Sequence, residues 1–417
     1  MAHPPHRRDA LRAAIAALAL PAAPDLPPRP TRGVRAFRLV EAAGLRRSGY
    51  PIAATVPDAV GGRNFRLVRD GRPVPAQFRR VDNGPHGAPE VALDFLVGPG
   101  PMEVQRYEVH FGGPEVEPGP EPAGGIAVER RDGAYLVSQG VAIRYAIPGN
   151  AFGRFDEAGG PRLAYLKPGS SGLTIRSPAA DGFAAPSKPG GVRSSVTRQG
   201  PLAVGLRFEA GEVADGTGMT LDLTFPHSKT WFQAAWTVDD PRGVVAGLGL
   251  DLGVALEGPP ALVDFGAGTT VYGQARGDER VELVAGRAPG EAEPESGRGW
   301  VVRRGGPGTS TVQAASTAGD PRPAEGWAHV MDGRRCVALA VPGFGRSAAR
   351  DKIRVEADGR ARLTRDYAAG QAAPPPGPKS LAFTLHFVPM PVQVGAATSP
   401  QSILAPPRVE WDRPPDR

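Results

Sequence analysis

The chain has 417 residues, 41% of them hydrophobic and 22% charged, with a net charge of +6 and one cysteine. That length and apolar content allow two or three domains with cores of their own and exclude a disordered chain, while a lone cysteine excludes a disulfide framework and a cysteine-rich zinc site. The positive charge comes from arginines scattered among acidic residues, without a basic run interleaved with aromatics, so no nucleic-acid partner is expected.

Residues 1–32 read as an export signal and a Pro-rich leader. Arg7, Arg8 and Arg12 form a basic region, residues 13–20 are apolar but too short to span a bilayer, and Ala17 and Ala19 offer small side chains to a peptidase. The adjacent arginines resemble a bacterial twin-arginine signal, so export to the periplasm or the exterior is expected. No later segment is long and apolar enough to span a membrane, and no stable insertion is expected.

From residue 33 onward the pattern is strand after strand. Glycine and proline, 56 and 47 residues, fall between short apolar alternations, as turn punctuation does in a β protein. In residues 33–111, VRAFRLVEA, the run ending at Pro57, and NFRLVRDGRPVP around Asp70-Gly71 precede three period-two segments at 77–81, 90–97 and 104–111. About six strands in so short a span predict a small barrel or sandwich. Residues 112–125, GGPEVEPGPEPAGG, have little to bury and read as a semi-rigid linker. A larger domain is expected over 126–392, opening with strands around Asp132-Gly133 and interrupted by loops at 178–191, 286–308 and 370–378. Residues 393–417 read as a Pro-rich tail with Trp411 as its only anchor. Helical periodicity is absent after the leader, so the predicted fold class is all-β.

The most informative stretch is 221–240, LDLTFPHSKTWFQAAWTVDD. Leu221, Leu223 and Phe225 alternate with Asp222 and Thr224. Beyond the turn, Phe232, Ala234, Trp236 and Val238 would share one face and Trp231, Gln233, Ala235 and Thr237 the other. An aromatic ring beside a hydrogen-bonding amide is what a sugar platform requires. A second hairpin, GWAHVMDGRRCVALAV, turns at Asp332-Gly333 and puts Trp327, His329 and Met331 on one face. Cys336, in its second strand, reads as a buried small hydrophobe.

The succession RSGYPI, FRLVRDGRPVPAQF and RYEVHFG resembles the N-terminal barrel of the exo-acting rhamnogalacturonan lyase-like proteins. GVAIRYAIPGNAFGRF, QGPLAVGLRFEAGE, FPHSKTWFQAAWTVDDP and GWAHVMDGRRCVALAV are similar to the galactose-mutarotase-like β-supersandwich that follows it there. The chain departs from that pattern in having NGPHGAPEVALDF in place of a Trp-rich segment and no pattern for a helical toroid. The resemblance implies an acidic polysaccharide or oligosaccharide partner and β-elimination from a pectin-type uronate. Two alternatives stand beside it: a non-catalytic carbohydrate-binding or cell-surface scaffold protein, and a mutarotase- or epimerase-like sugar enzyme.

Such chemistry needs a base, an acid and a group that neutralises the carboxylate. The candidate catalytic residues are His227 and Lys229 in the first turn, Tyr272 in TTVYGQ as an acid, and His329 in the second hairpin, with Glu325 in reserve. His227 and His329 could pair if the two hairpins face one cleft. Trp231, Gln233, Trp327 and Arg334 are the candidate substrate contacts. No H-x-H, H-E-x-x-H or calcium-loop spacing occurs, so neither a metal nor a cofactor is expected.

Overall fold

A computed structural model describes residues 33–82, 89–112, 120, 125–140, 142–178, 182–186, 191–211, 217–227, 229–286, 299–317, 322–346, 349–368, 373–391 and 399–412. The expected export signal and nearly all of the expected linker lie outside these residues. Every strand pairing among the described residues is antiparallel, and the one α-helix, Pro400–Leu404, has five residues. The all-β expectation is therefore what the fold shows.

The first domain is built from a five-stranded and a three-stranded sheet. Strand Gly33–Val40 lies between Val104–Phe111 and the late strand Arg408–Trp411, while Tyr50–Val56 and Ala76–Val81 flank Glu90–Val97. Phe37, Leu39, Tyr50, Leu93, Phe95 and Tyr107 fill the space between the sheets. The Asp70-Gly71 turn forms as expected, with φ of 50° and 74° at its two central residues, a conformation that Asp-Gly tolerates. The expectation of a Pro-rich tail anchored by Trp411 alone is corrected in part. Arg408–Trp411 completes the first sheet beside Gly33–Val40, and the Trp411 ring lies 4.7 Å from that of Phe37.

The second domain packs an eight-stranded sheet against a nine-stranded one, with a further five-stranded sheet closing the shared core. In the nine-stranded sheet, Gly218–Pro226, Trp231–Asp239, Lys379–Pro389, Arg335–Ala340, Trp327–Met331, Ala261–Gly266 and Thr270–Ala275 lie side by side in that order. The predicted alternation holds: Leu221, Leu223, Phe225, Phe232, Ala234, Trp236 and Val238 all enter the core. One expected loop is corrected, because residues 300–305 form a strand, Trp300–Gly305, whose first side chain is buried. The second hairpin, without the positive φ found at 70–71 and 132–133, turns at Asp332-Gly333 as expected. There the Asp332 carboxylate accepts from the backbone N–H of Arg334 at 2.8 Å and of Arg335 at 2.9 Å, so the side chain organises the turn.

Candidate functional site

Strand register decides which of the candidate residues meet. Across the outer face of the nine-stranded sheet, Tyr272 pairs with Asp264, Asp264 with His329, His329 with Ala338, Ala338 with His386, and His386 with Trp231. These side chains form one row on the face turned away from the core. His329 Nδ1 lies 2.7 Å from Asp264 Oδ1. That carboxylate oxygen accepts no aligned hydrogen bond, so the contact is one of close approach rather than a directed hydrogen bond. Both side chains are mostly buried, at 23% and 11% exposed, whereas Tyr272 on the next strand is 75% exposed. Trp327 stands beside the imidazole, with ring centroids 5.2 Å apart, and donates its indole N–H to Glu325 at 2.6 Å. Gln401 from the short helix donates to the same carboxylate.

Two of the expected catalytic residues, Tyr272 and His329, thus come together around an aspartate that sequence reading did not single out. They stand two ladder steps apart, roughly 10 Å at ~4.8 Å per step. The signal for Asp264 was present in ALVDFG, where a carboxylate interrupts an otherwise apolar strand. Cys336 is buried as expected; burial, together with the nearby Asp264 charge, pushes its thiol well above the ordinary range.

The expected pairing of His227 with His329 is corrected. His227 directly follows Gly218–Pro226, and three strands lie between that strand and Trp327–Met331, which puts the two histidines about four ladder steps apart, roughly 19 Å. His227 tucks its backbone N–H onto Leu202 O at 2.7 Å, and burial lowers its imidazole pKa. Lys229 is also drawn away from catalysis. Its ammonium donates to Ser48 O of the first domain at 2.6 Å, and burial lowers its pKa too. Arg334 lies at the surface turn, where it pairs with Glu257 at 2.5 Å, and reaches no part of the row.

Trp231 shares a face with Gln233, as expected, but it is not an open platform. At 1% exposure it is packed under the first domain, 5.7 Å from Tyr50 and 5.5 Å from His386 between ring centroids. Trp327 is likewise buried at the seam. The docked domain covers aromatic surface that the hairpin alone would leave in water. Beside Trp231 the seam opens into a cavity of about 660 Å³, within the usual size of small-ligand sites. Its wall includes Gln233, Thr224, Trp411, Asp94 and Arg198. Asp94 and Arg198 form an ion pair; burial, then the neighbouring Arg79, lowers the Arg198 guanidinium to about 10.

Among the described residues no group of three or more His, Cys, Asp or Glu could hold a metal ion, and no helix is long and apolar enough to cross a membrane. No family model matches the chain, and no curated protein matches it. Among solved structures, it is similar to a glycosyl hydrolase family 38 protein from Enterococcus faecalis, with a TM-score of 0.55 and 10% identity over 91% of this chain and 47% of that one. An α-mannosidase from Enterococcus faecalis V583 gives a TM-score of 0.53, also at 10% identity, over 91% and 46%. An aldose epimerase homologue from C. elegans matches 64% of this chain with a TM-score of 0.28 and 9% identity. The chain spans about half the length of the two Enterococcus proteins and shares its all-β fold with part of each.

Proposed function

We propose that this is an exported carbohydrate-active protein that cleaves uronate-containing polysaccharide by β-elimination on the outer face of the nine-stranded sheet. The observation that carries the reading is the row in which Asp264 lies against His329 Nδ1 with Tyr272 on the next strand. With Nδ1 turned to the carboxylate, Nε2 is left to take the C5 proton of the uronate. The C5–H electron pair becomes the C4=C5 double bond, the C4–O bond breaks, and Tyr272 gives its hydroxyl proton to the leaving oxygen. The likeness in fold to glycoside-processing proteins supports a sugar substrate, and the basic, apolar leader supports export.

Incubation with pectic oligosaccharides while following the ultraviolet absorbance of the unsaturated product tests this reading. His329→Ala and Tyr272→Phe should each lower turnover by a factor on the order of 100 or more. Asp264→Asn, at a positioning residue, should shift the pH profile of the remaining rate. Absence of product across acidic plant and bacterial polymers would sink the lyase reading.

A second reading, a non-catalytic sugar-binding module, is favoured by one observation. On the three strands that carry Tyr272, Asp264 and His329, the positions two residues away on the same face are Thr270, Gln274, Leu262, Gly266, Trp327 and Met331. None is a cation that could neutralise a uronate carboxylate. Retained sugar binding without turnover is the outcome that selects this reading.

A further inference from the structure

The cavity at the domain seam has a chemistry distinct from that of the His329 row. One wall comes from the first domain through Thr55, Asp94 and the late-strand Trp411, the other from the second domain through Arg198, Thr224 and Gln233. Three of the residues lining it have a buried side-chain atom without a hydrogen-bond partner: Asp94 Oδ2, an acceptor, and Arg198 Nε and Trp231 Nε1, both donors. Orphaned buried polar atoms are rare and costly, about 1–3 kcal/mol each. Three at one cavity mark a place where a partner belongs.

A fitting ligand must donate to a carboxylate and accept from a guanidinium within a short distance, and must offer an apolar face to the half-buried Trp411 ring. Asp94 and Arg198 already offset each other's charge, so an anionic ligand would meet the carboxylate and a cationic one the guanidinium. Adjacent hydroxyls on a pyranose ring answer both groups, because each hydroxyl donates and accepts. The axial C–H groups of the same ring suit an indole face. Thr55, Thr224 and the exposed Gln233 amide can serve the remaining hydroxyls. We propose that the seam cavity binds a neutral pyranose unit, held between the two domains by Asp94, Arg198, Gln233 and Trp411. The orphaned atoms belong to lining residues but are themselves buried, so a movement of the wall accompanies binding, and the ligand ties the domains together.

The proposal does not depend on the His329 row, and its test keeps the two apart. The full chain is titrated calorimetrically with the methyl glycosides of glucose, galactose and mannose, and separately with galacturonate, while indole fluorescence is followed. At least one neutral glycoside should saturate the protein. Gln233→Ala, at an exposed position on an intact strand, should weaken that binding at least tenfold, Thr224→Val should weaken it measurably, and His329→Ala should leave it unchanged. No saturable binding of any neutral glycoside would overturn the proposal. So would binding unaffected by Gln233→Ala, or galacturonate that binds more tightly than every neutral sugar and loses that binding with Gln233→Ala but not with His329→Ala.

Discussion

Asp240 shows how this chain handles a charge that it cannot expose. Its carboxylate is fully buried, accepts from the backbone N–H of Val244 at 2.8 Å and of Val245 at 3.0 Å, and is paired with the ammonium of the equally buried Lys379. Burial alone would raise its pKa, but the hydrogen bonds from Lys379 and the two amides outweigh burial and hold it below the ordinary carboxylate range. Glu41 follows the same logic. Burial is opposed by Arg47 at 2.6 Å and by the amides of Ala43 and Leu45, and the carboxyl is again lowered. A carboxylate with a depressed folded-state pKa contributes stability above its unfolded value, and that contribution is lost as pH falls through the folded value. The melting temperature should therefore hold steady above about pH 5 and fall as the medium is acidified below the ordinary carboxylate pKa values, about 4. Lys379→Met would strand the Asp240 charge and cost roughly 3–5 kcal/mol, and pairing it with Asp240→Asn should recover part of that loss. Urea unfolding of the two variants checks the order; equal stability in single and double variants would contradict it.

At the scale of elements, the hairpins were the most legible part of the sequence. Period-two alternation placed Phe232, Ala234, Trp236 and Val238 in the core, and Asp-Gly pairs marked two turns that the backbone adopts with positive φ at 70–71 and 132–133. What alternation could not reveal is anything set by distant pairing. Asp264 and His329 come from different hairpins and meet only through the order of strands in the sheet. The expected tail is the clearest case. Arg408–Trp411 carries too few residues to show a period, and its ion pair between Arg38 and Glu410 spans 372 positions in the chain. The helix before it is also too short to signal itself. It is held from outside by Arg47, which donates to Ser402 O at 2.6 Å and to Ala405 O at 2.5 Å, serving carbonyls that a helix end leaves open. A chain ending before Ser399 should lose the strand that covers one edge of Gly33–Val40. The backbone amides of Arg38 and Val40, opposite Glu410 and Arg408 and in phase with the Asp412 N–H to Ala36 O bond, should then exchange with solvent much faster. Hydrogen exchange read by mass spectrometry would show this, and unchanged protection of residues 33–40 would mean that the late strand is dispensable.

For the molecule as a whole, the seam is the consequential surface. Trp231 and Trp327 belong by chain position to the nine-stranded sheet, yet pack within the core cluster of the first domain together with Ala340 and Ile403. Gln77 of the first domain accepts from the backbone N–H of Leu202 at 3.0 Å and of Ala203 at 3.3 Å in the second, and Lys229 reaches back to Ser48 O. A seam with buried aromatic anchors and backbone hydrogen bonds couples the folding of its two sides more strongly than a typical polar domain contact does. The full chain should therefore unfold in a single calorimetric transition. Trp231→Ala removes one of the two buried indoles at the seam and leaves a cavity against Tyr50 and His386, at a cost of roughly 3–5 kcal/mol. Because the second domain keeps Phe232, Ala234 and Trp236 in its own core on the same strand, that loss should fall mainly on the first domain. The single transition should then split, with residues 33–111 melting first. A Trp231→Ala variant that still melts in one step, only lower, would show that the domains are coupled by the backbone bonds at Gln77 and the tail strand more than by the indole.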